Sequence, residues 1–403
     1  MNIAASKSVT APAAKVTPDL IDALAGLQSG SPLAALRSTR PEVKDATQGS
    51  FDALFEPVDV QGLPLIERHA VALRVATLQG SSILAQFHHT RLQGLNAPQD
   101  VASAATAAPG LEWDSTSWRW QAIAAFVDRL SLTPFEAEAS HLAPLLAVGL
   151  SASDTVTLAQ LIAFVSYQTR LLAGLKALAA HHAPLPVVSA TEYAPTGELL
   201  SGHHGKVEHH HAQVAYTTEV LEWASWLPIV DPAHATPDQI AVLDESHSSA
   251  RSSPYYLTLV HNPLVLRQRS RLFNAIMYGQ GGLSRAEREL TTVAVSLVNG
   301  CPYCASVHAR FFVQLAKQPQ VIEALYKDGV DTPLVPRQRA LIDLGVELSA
   351  NTPAVSANTL NSLRASGLNE LQILDAIHAA AIFAWANRLM QTLGEPVNPN
   401  ATR

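Results

Sequence analysis

Apolar positions recur at helical spacing along most of the chain. Between 154 and 179, Val156, Ala159, Leu161, Ile162, Val165, Leu171, Leu172 and Leu175 form broad stripes at the period of an α-helix. Convincing runs of apolar and polar residues in alternation, the mark of half-buried strands, are missing, so the pattern predicts an all-α protein. Residues 1–50 are rich in Pro, Ser and Thr, carry only short helical signals, and read as a partly ordered leader. A second irregular stretch, 181–215, is dense in His, Pro and Gly and reads as a linker. The pattern therefore separates a first helical unit, 51–180, from a second, 216–403.

The two units read as copies. Leu63, Glu67, Arg68, Gly80, Ala85 and His88 fall in register with Leu283, Glu287, Arg288, Gly300, Ala305 and His308. Further along, Gly149-Leu150 and Arg170 match Gly367-Leu368 and Arg388. A register held over two separate segments predicts duplicated helical-bundle domains rather than two Ala/Leu-rich helices that happen to look alike. Such a duplication within one chain mimics a dimer of single domains.

The segment from Leu283 to Leu315 carries the candidate chemistry. Ser284 followed three residues later by Glu287 is a capping box and marks a helix start. Leu290, Val293, Ala294, Leu297 and Val298 supply that helix's buried face. Asn299-Gly300 ends it, Cys301 falls at the N-cap of the next helix, and Pro302 occupies a first-turn position where a missing N–H costs nothing. A thiol beside a helix N-terminus is expected to have a lowered pKa. Cys304 lies in the same first turn, with His308 four residues on and on the same face. If the two helices fold back on one another, Glu289 and His308 come level to within about one 5 Å turn, which makes a Glu–His–Cys relay feasible.

Composition narrows the setting. Apolar residues make up 48% of the 403 and charged residues only 15%, which points to buried inter-domain or inter-subunit surface. A net charge of -7 argues against a nucleic-acid partner. The N-terminal stretch lacks an apolar signal region and no stretch of membrane-spanning length is free of polar interruption, so a cytoplasmic protein with no membrane partner is expected. Both cysteines of the chain sit in one Cys-Pro-Tyr-Cys tetrad, which in a reducing compartment reads as catalytic or metal-binding.

Glu289, Cys301, Cys304 and His308 stand in the order E-x11-C-x2-C-x3-H. This resembles the signature of the AhpD-like alkylhydroperoxidases, within the carboxymuconolactone decarboxylase superfamily, and the Cys-Pro-Tyr-Cys tetrad is similar to that of its peroxidase-related branch. The resemblance spans 216–395 and, as a degenerate copy, 51–180. It implies an all-helical fold, self-association into homo-oligomers such as trimers, and a hydroperoxide substrate. It also implies a dithiol reductant of thioredoxin or lipoyl type, with no cofactor. By position it makes Cys304 the peroxidatic thiol, Cys301 the resolving thiol, Glu289 the base and His308 the relay. Tyr303 stands where some members carry a further histidine, which implies a shorter relay or weaker activity. Asp375 and Asn387-Arg388 resemble the family's C-terminal helix and are read as packing and interface.

In the first unit, His69, Ser81 and Leu84 stand opposite Glu289, Cys301 and Cys304, and only His88 matches His308. Dithiol chemistry is impossible there, so that unit reads as a structural partner or pocket wall. Three other readings of the thiol segment stay open: a lactone decarboxylase, structural zinc on Cys301, Cys304, His308 and Glu289, and a slowly turning dithiol sensor or scaffold. The linker cluster His203, His204, His209, His210 and His211 reads as solvated chain rather than as a metal site.

Overall fold

The computed structural model describes residues 19–109, 117–181, 199–202, 204 and 215–400. Among these residues the chain forms eighteen α-helices. The leader stretch contributes α1 (Leu20–Leu24), α2 (Pro32–Ser38) and α3 (Pro41–Phe55). The rest of the first half holds α4 (Leu65–Leu78), α5 (Ser82–Gly94), α6 (Gln99–Thr106), α7 (Trp118–Leu132), α8 (Ala143–Ala147) and α9 (Ala152–Ala180). The second half begins with α10 (Pro237–Ser246), α11 (Pro254–Leu259), α12 (Pro263–Tyr278), α13 (Arg285–Val298) and α14 (Pro302–Ala316). It continues through α15 (Pro319–Asp328), α16 (Pro336–Ser349), α17 (Ala357–Ala365) and α18 (Glu370–Thr392). One two-stranded antiparallel sheet joins β1 (Glu222–Ser225) to β2 (Gly394–Val397). At four residues each, these strands are too short to show in an alternation pattern, but the fold is all-α.

The long helices α9 and α18 form the axis of the molecule. Each starts at a capping box, Ser151 with Asp154 and Asn369 with Gln372. Each is buried over nearly its whole circumference, which is why both are apolar all round rather than striped. They pack along one another, with Trp385 Nε1 donating to Gln160 Oε1 at 2.7 Å and the Phe164 and Trp385 rings 5.1 Å apart. The matched arginines cross over reciprocally. Arg170 of α9 donates to the carbonyl of Ala350 in the second half, and Arg388 of α18 to that of Ser131 in the first. One hydrophobic core runs through both halves, with a smaller cluster beneath α13, α14, α15 and α16.

Close approach of α9 and α18 depends on Gly174, where a Cβ would collide with the side chain of Ile377. Gly174→Ala is expected to destabilise the protein by about 1–3 kcal/mol despite alanine's better helix propensity. Denaturant unfolding measures this, and a variant as stable as wild type would contradict the tight crossing.

The leader stretch is helical from Leu20 onward, and residues 1–18 lie outside the described residues. Val43, Ala46, Phe51, Leu54 and Phe55 bury one side of α3, which packs on α12. Arg40 grips Asp375 of α18 through two hydrogen bonds of 2.8 and 2.6 Å. Asp375 also accepts from Arg288 and from the Leu283 N–H, so this carboxylate ties leader, α13 and α18 together. No single helix among the described residues is long and apolar enough to cross a membrane.

Candidate active site

The α13–α14 hairpin builds the site. Ser284 and Glu287 form the reciprocal capping box at its start, and Glu287 also pairs with Arg337. The turn closes through Gly300, whose φ of +66° suits glycine, and through a hydrogen bond from the Cys301 N–H to the Ser296 carbonyl. A side chain at Gly300 would also press on Phe135, from the first half. Cys301 is the N-cap of α14, with Pro302 following it.

Both thiols are free and buried, Cys301 to 1% exposure and Cys304 to 4%. The expectation of a lowered pKa fails at Cys301. Burial pushes this thiol well above its ordinary range, and the hydrogen bond with Cys304 pushes the same way, while the Asn387 amide pulls weakly in the other. The physical reason is one of scale: a helix terminus contributes about 0.3–2 kcal/mol, whereas desolvating an anion costs several.

Glu289 is fully buried, and its Oε2 accepts a hydrogen bond from His308 Nδ1 at 2.5 Å. Its other oxygen accepts from Arg285, one helical turn earlier. The folding-back of the two helices thus brings Glu289 and His308 together. With Nδ1–H held by the carboxylate, the second ring nitrogen, Nε2, is the proton acceptor. The imidazole is walled by rings: Phe383 of α18 edge-on at 4.5 Å, Phe311 at 6.1 Å and Phe273 of α12 at 6.5 Å. Cys304 lies one turn before His308 on α14, so the two share a face. Arg285 is sandwiched between Tyr278 and Phe311 and borders a cavity of about 360 Å³ lined by the 277–285 turn and Arg288.

Two residues escaped the sequence reading. Arg285 is foreshadowed by its opposite charge four residues before Glu289. Asn387, read as packing, lies beside Cys301 and is held by Asn299 and Ser296, each at about 3 Å. Nothing local to its own helix marks that role.

In the first half, α4 and α5 form a comparable hairpin closed by Gly80, with φ +69° and a hydrogen bond from the Ser81 N–H to the Ala76 carbonyl. His69 and His88 meet there, Nδ1 to Nδ1 at 3.0 Å, with Phe55 packed against both rings. Burial lowers His69 to about 4 and His88 well below its ordinary value, so the pair is neutral at pH 7. Of the linker histidines, His204 contacts Asp343 at 2.8 Å, while His203, His209, His210 and His211 lie outside the described residues. Among the described residues no three His, Cys, Asp or Glu side chains converge as a metal-binding group.

Residues 263–342, which contain Glu289, both cysteines and His308, match the carboxymuconolactone decarboxylase family. The matched stretch lies within the second half and runs from α12 into α16. A solved structure, that of an uncharacterized peroxidase-related protein from Silicibacter sp. TM1040, is 28% identical over 35% of this chain and 74% of its own, with a TM-score of 0.31. No curated protein matches the chain.

Proposed function

We propose that the chain is a thiol-dependent hydroperoxide reductase working through Cys304 and Cys301. The observation that carries this reading is the buried Glu289–His308 hydrogen bond beside a free thiol pair. His308 takes the proton of Cys304. The Cys304 sulfur then attacks the hydroperoxide oxygen, the O–O bond breaks, and an alcohol leaves with the proton returned by His308. The sulfenic acid on Cys304 condenses with the Cys301 thiol to give a disulfide and water. An external dithiol, of thioredoxin or lipoyl type, restores both thiols by exchange.

The first half is then a duplicated partner that has lost the chemistry. This rests on the matching glycine turns and on the neutral His69–His88 pair at the helix positions of Glu289 and His308. Self-association and a cytoplasmic setting belong to the same proposal.

Cys304→Ser is expected to abolish peroxide consumption in the presence of a dithiol reductant, a loss of a thousandfold or more. Turnover unchanged in that variant would remove the assignment. A disulfide that forms with peroxide but is reduced only slowly by every dithiol tried would favour a redox sensor.

A further inference from the structure

Beside the thiol site lies a buried cation that the steps above leave unused. Arg269, on α12, is only 4% exposed. Its Nε has no hydrogen-bond partner, and among the described residues no carboxylate pairs with its guanidinium. It is held instead by two rings, 5.4 Å from the centre of Tyr255 and 5.8 Å from that of Phe273. Cation–π contacts with two rings offset only part of the cost of desolvating a guanidinium. Arg170, Arg288, Arg339 and Arg388 each leave one buried nitrogen unpartnered as well, but each also donates to protein oxygens, a bond that Arg269 makes with none of the described residues. The hydroxyl of Tyr255 is likewise buried without a partner. A charged donor and a neutral one therefore adjoin with no protein acceptor for either.

Their location ties them to the thiols. Phe273, beneath Arg269, is 6.5 Å from the His308 ring and 6.1 Å from Phe383, which itself abuts His308. Tyr255 lies near enough to Arg269 and to both cysteines for its ionisation to be coupled to theirs. Arg269 thus lies one ring away from His308, through Phe273, with Tyr255 on the guanidinium as well.

We infer that Arg269 and Tyr255 form a carboxylate-binding subsite, and that the hydroperoxide reduced at Cys304 carries a carboxylate on an apolar body. The second clause rests on the peroxidase reading; the first does not. A guanidinium and a phenol hydroxyl supply the donors a carboxylate needs, and charge-assisted bonds shielded from water favour the anion over a neutral isostere by tenfold or more. The rings of Tyr255 and Phe273 would receive the apolar body.

Two measurements on the full-length, reduced protein test this. Calorimetry should show octanoate bound at least tenfold more tightly than octanamide, with the preference lost in Arg269→Gln. Tyr255→Phe, which keeps the ring beneath Arg269, should weaken the preference at least threefold and serves if the arginine variant does not fold. Equal affinity for acid and amide in the wild type, or a preference retained in Arg269→Gln, overturns the subsite. The second measurement compares thiol oxidation by a carboxylated hydroperoxide and by its methyl ester. The rate ratio of acid to ester should fall at least tenfold in Arg269→Gln, and an unchanged ratio overturns the substrate class. Wild-type thiols that react with neither compound faster than a free thiol would sink the peroxidase reading and the substrate class with it, while octanoate binding would still decide the subsite.

Discussion

Glu289→Gln is expected to slow oxidation of the thiol pair by hydroperoxide about a hundredfold, at the lower end of what positioned acid–base groups contribute. The amide oxygen can still accept the His308 Nδ1–H, so the ring keeps its orientation. In the proposed relay, what is lost is the negative charge that would stabilise the imidazolium as His308 takes the Cys304 proton. Full burial of Glu289 magnifies that loss, because no water screens the carboxylate. Arg285 loses its partner as well, but it borders the cavity and stays hydrated there. Stopped-flow measurement of the thiols across pH distinguishes a relay from a scaffold. A relay predicts both a slower rate and a displaced pH profile, while a purely structural role predicts lowered stability with an unchanged profile. A rate equal to wild type would remove Glu289 from the mechanism.

The second large effect is loss of stability in mild acid. His69 is lowered by burial and by Arg91 to about 4, and His378 by burial and by Arg37 to about 3. His88, fully buried, is lowered well below its ordinary value by the same cause, with His69 and Arg91 adding to it. In the unfolded chain each titrates near 6.5. Between that value and their folded values the unfolded state binds protons that the folded state refuses, so stability is complete above about pH 6.5 and falls as pH drops. At pH 5 His69 and His378 each withdraw about 2 kcal/mol, about 4 together, and His88 acts in the same direction. His204, raised by Asp343, works in the opposite sense, but it is partly exposed and its effect is small. Urea unfolding at pH 7 and pH 5 measures the difference, and His69→Asn should remove about 2 kcal/mol of it. Equal midpoints in m-corrected free energy at the two pH values would contradict the buried neutral state of these rings.

Much of this was legible in the chain itself, for a physical reason. Helical periodicity, capping boxes and glycine turns are short-range devices, each acting within about one turn of helix. Ser284 with Glu287, Asn299-Gly300 and Cys301-Pro302 therefore foretold the hairpin, and the hairpin's geometry foretold that Glu289 would meet His308. The match between Arg170 and Arg388 was visible too, although its meaning was not. Only the folded molecule shows that each arginine reaches into the opposite half.

What tertiary structure alone decided is whatever depends on burial and on distant segments. The Cys301 pKa moved up rather than down because α12, α18 and the first half close over a turn whose local electrostatics point the other way. Asn387 came to the thiols from a different helix, and Tyr255 and Arg269 from two more. The thiol pair was thus announced by spacing in one short segment. Its proton affinity, its walls and the cation beside it come from desolvation and long-range packing, which no local pattern encodes.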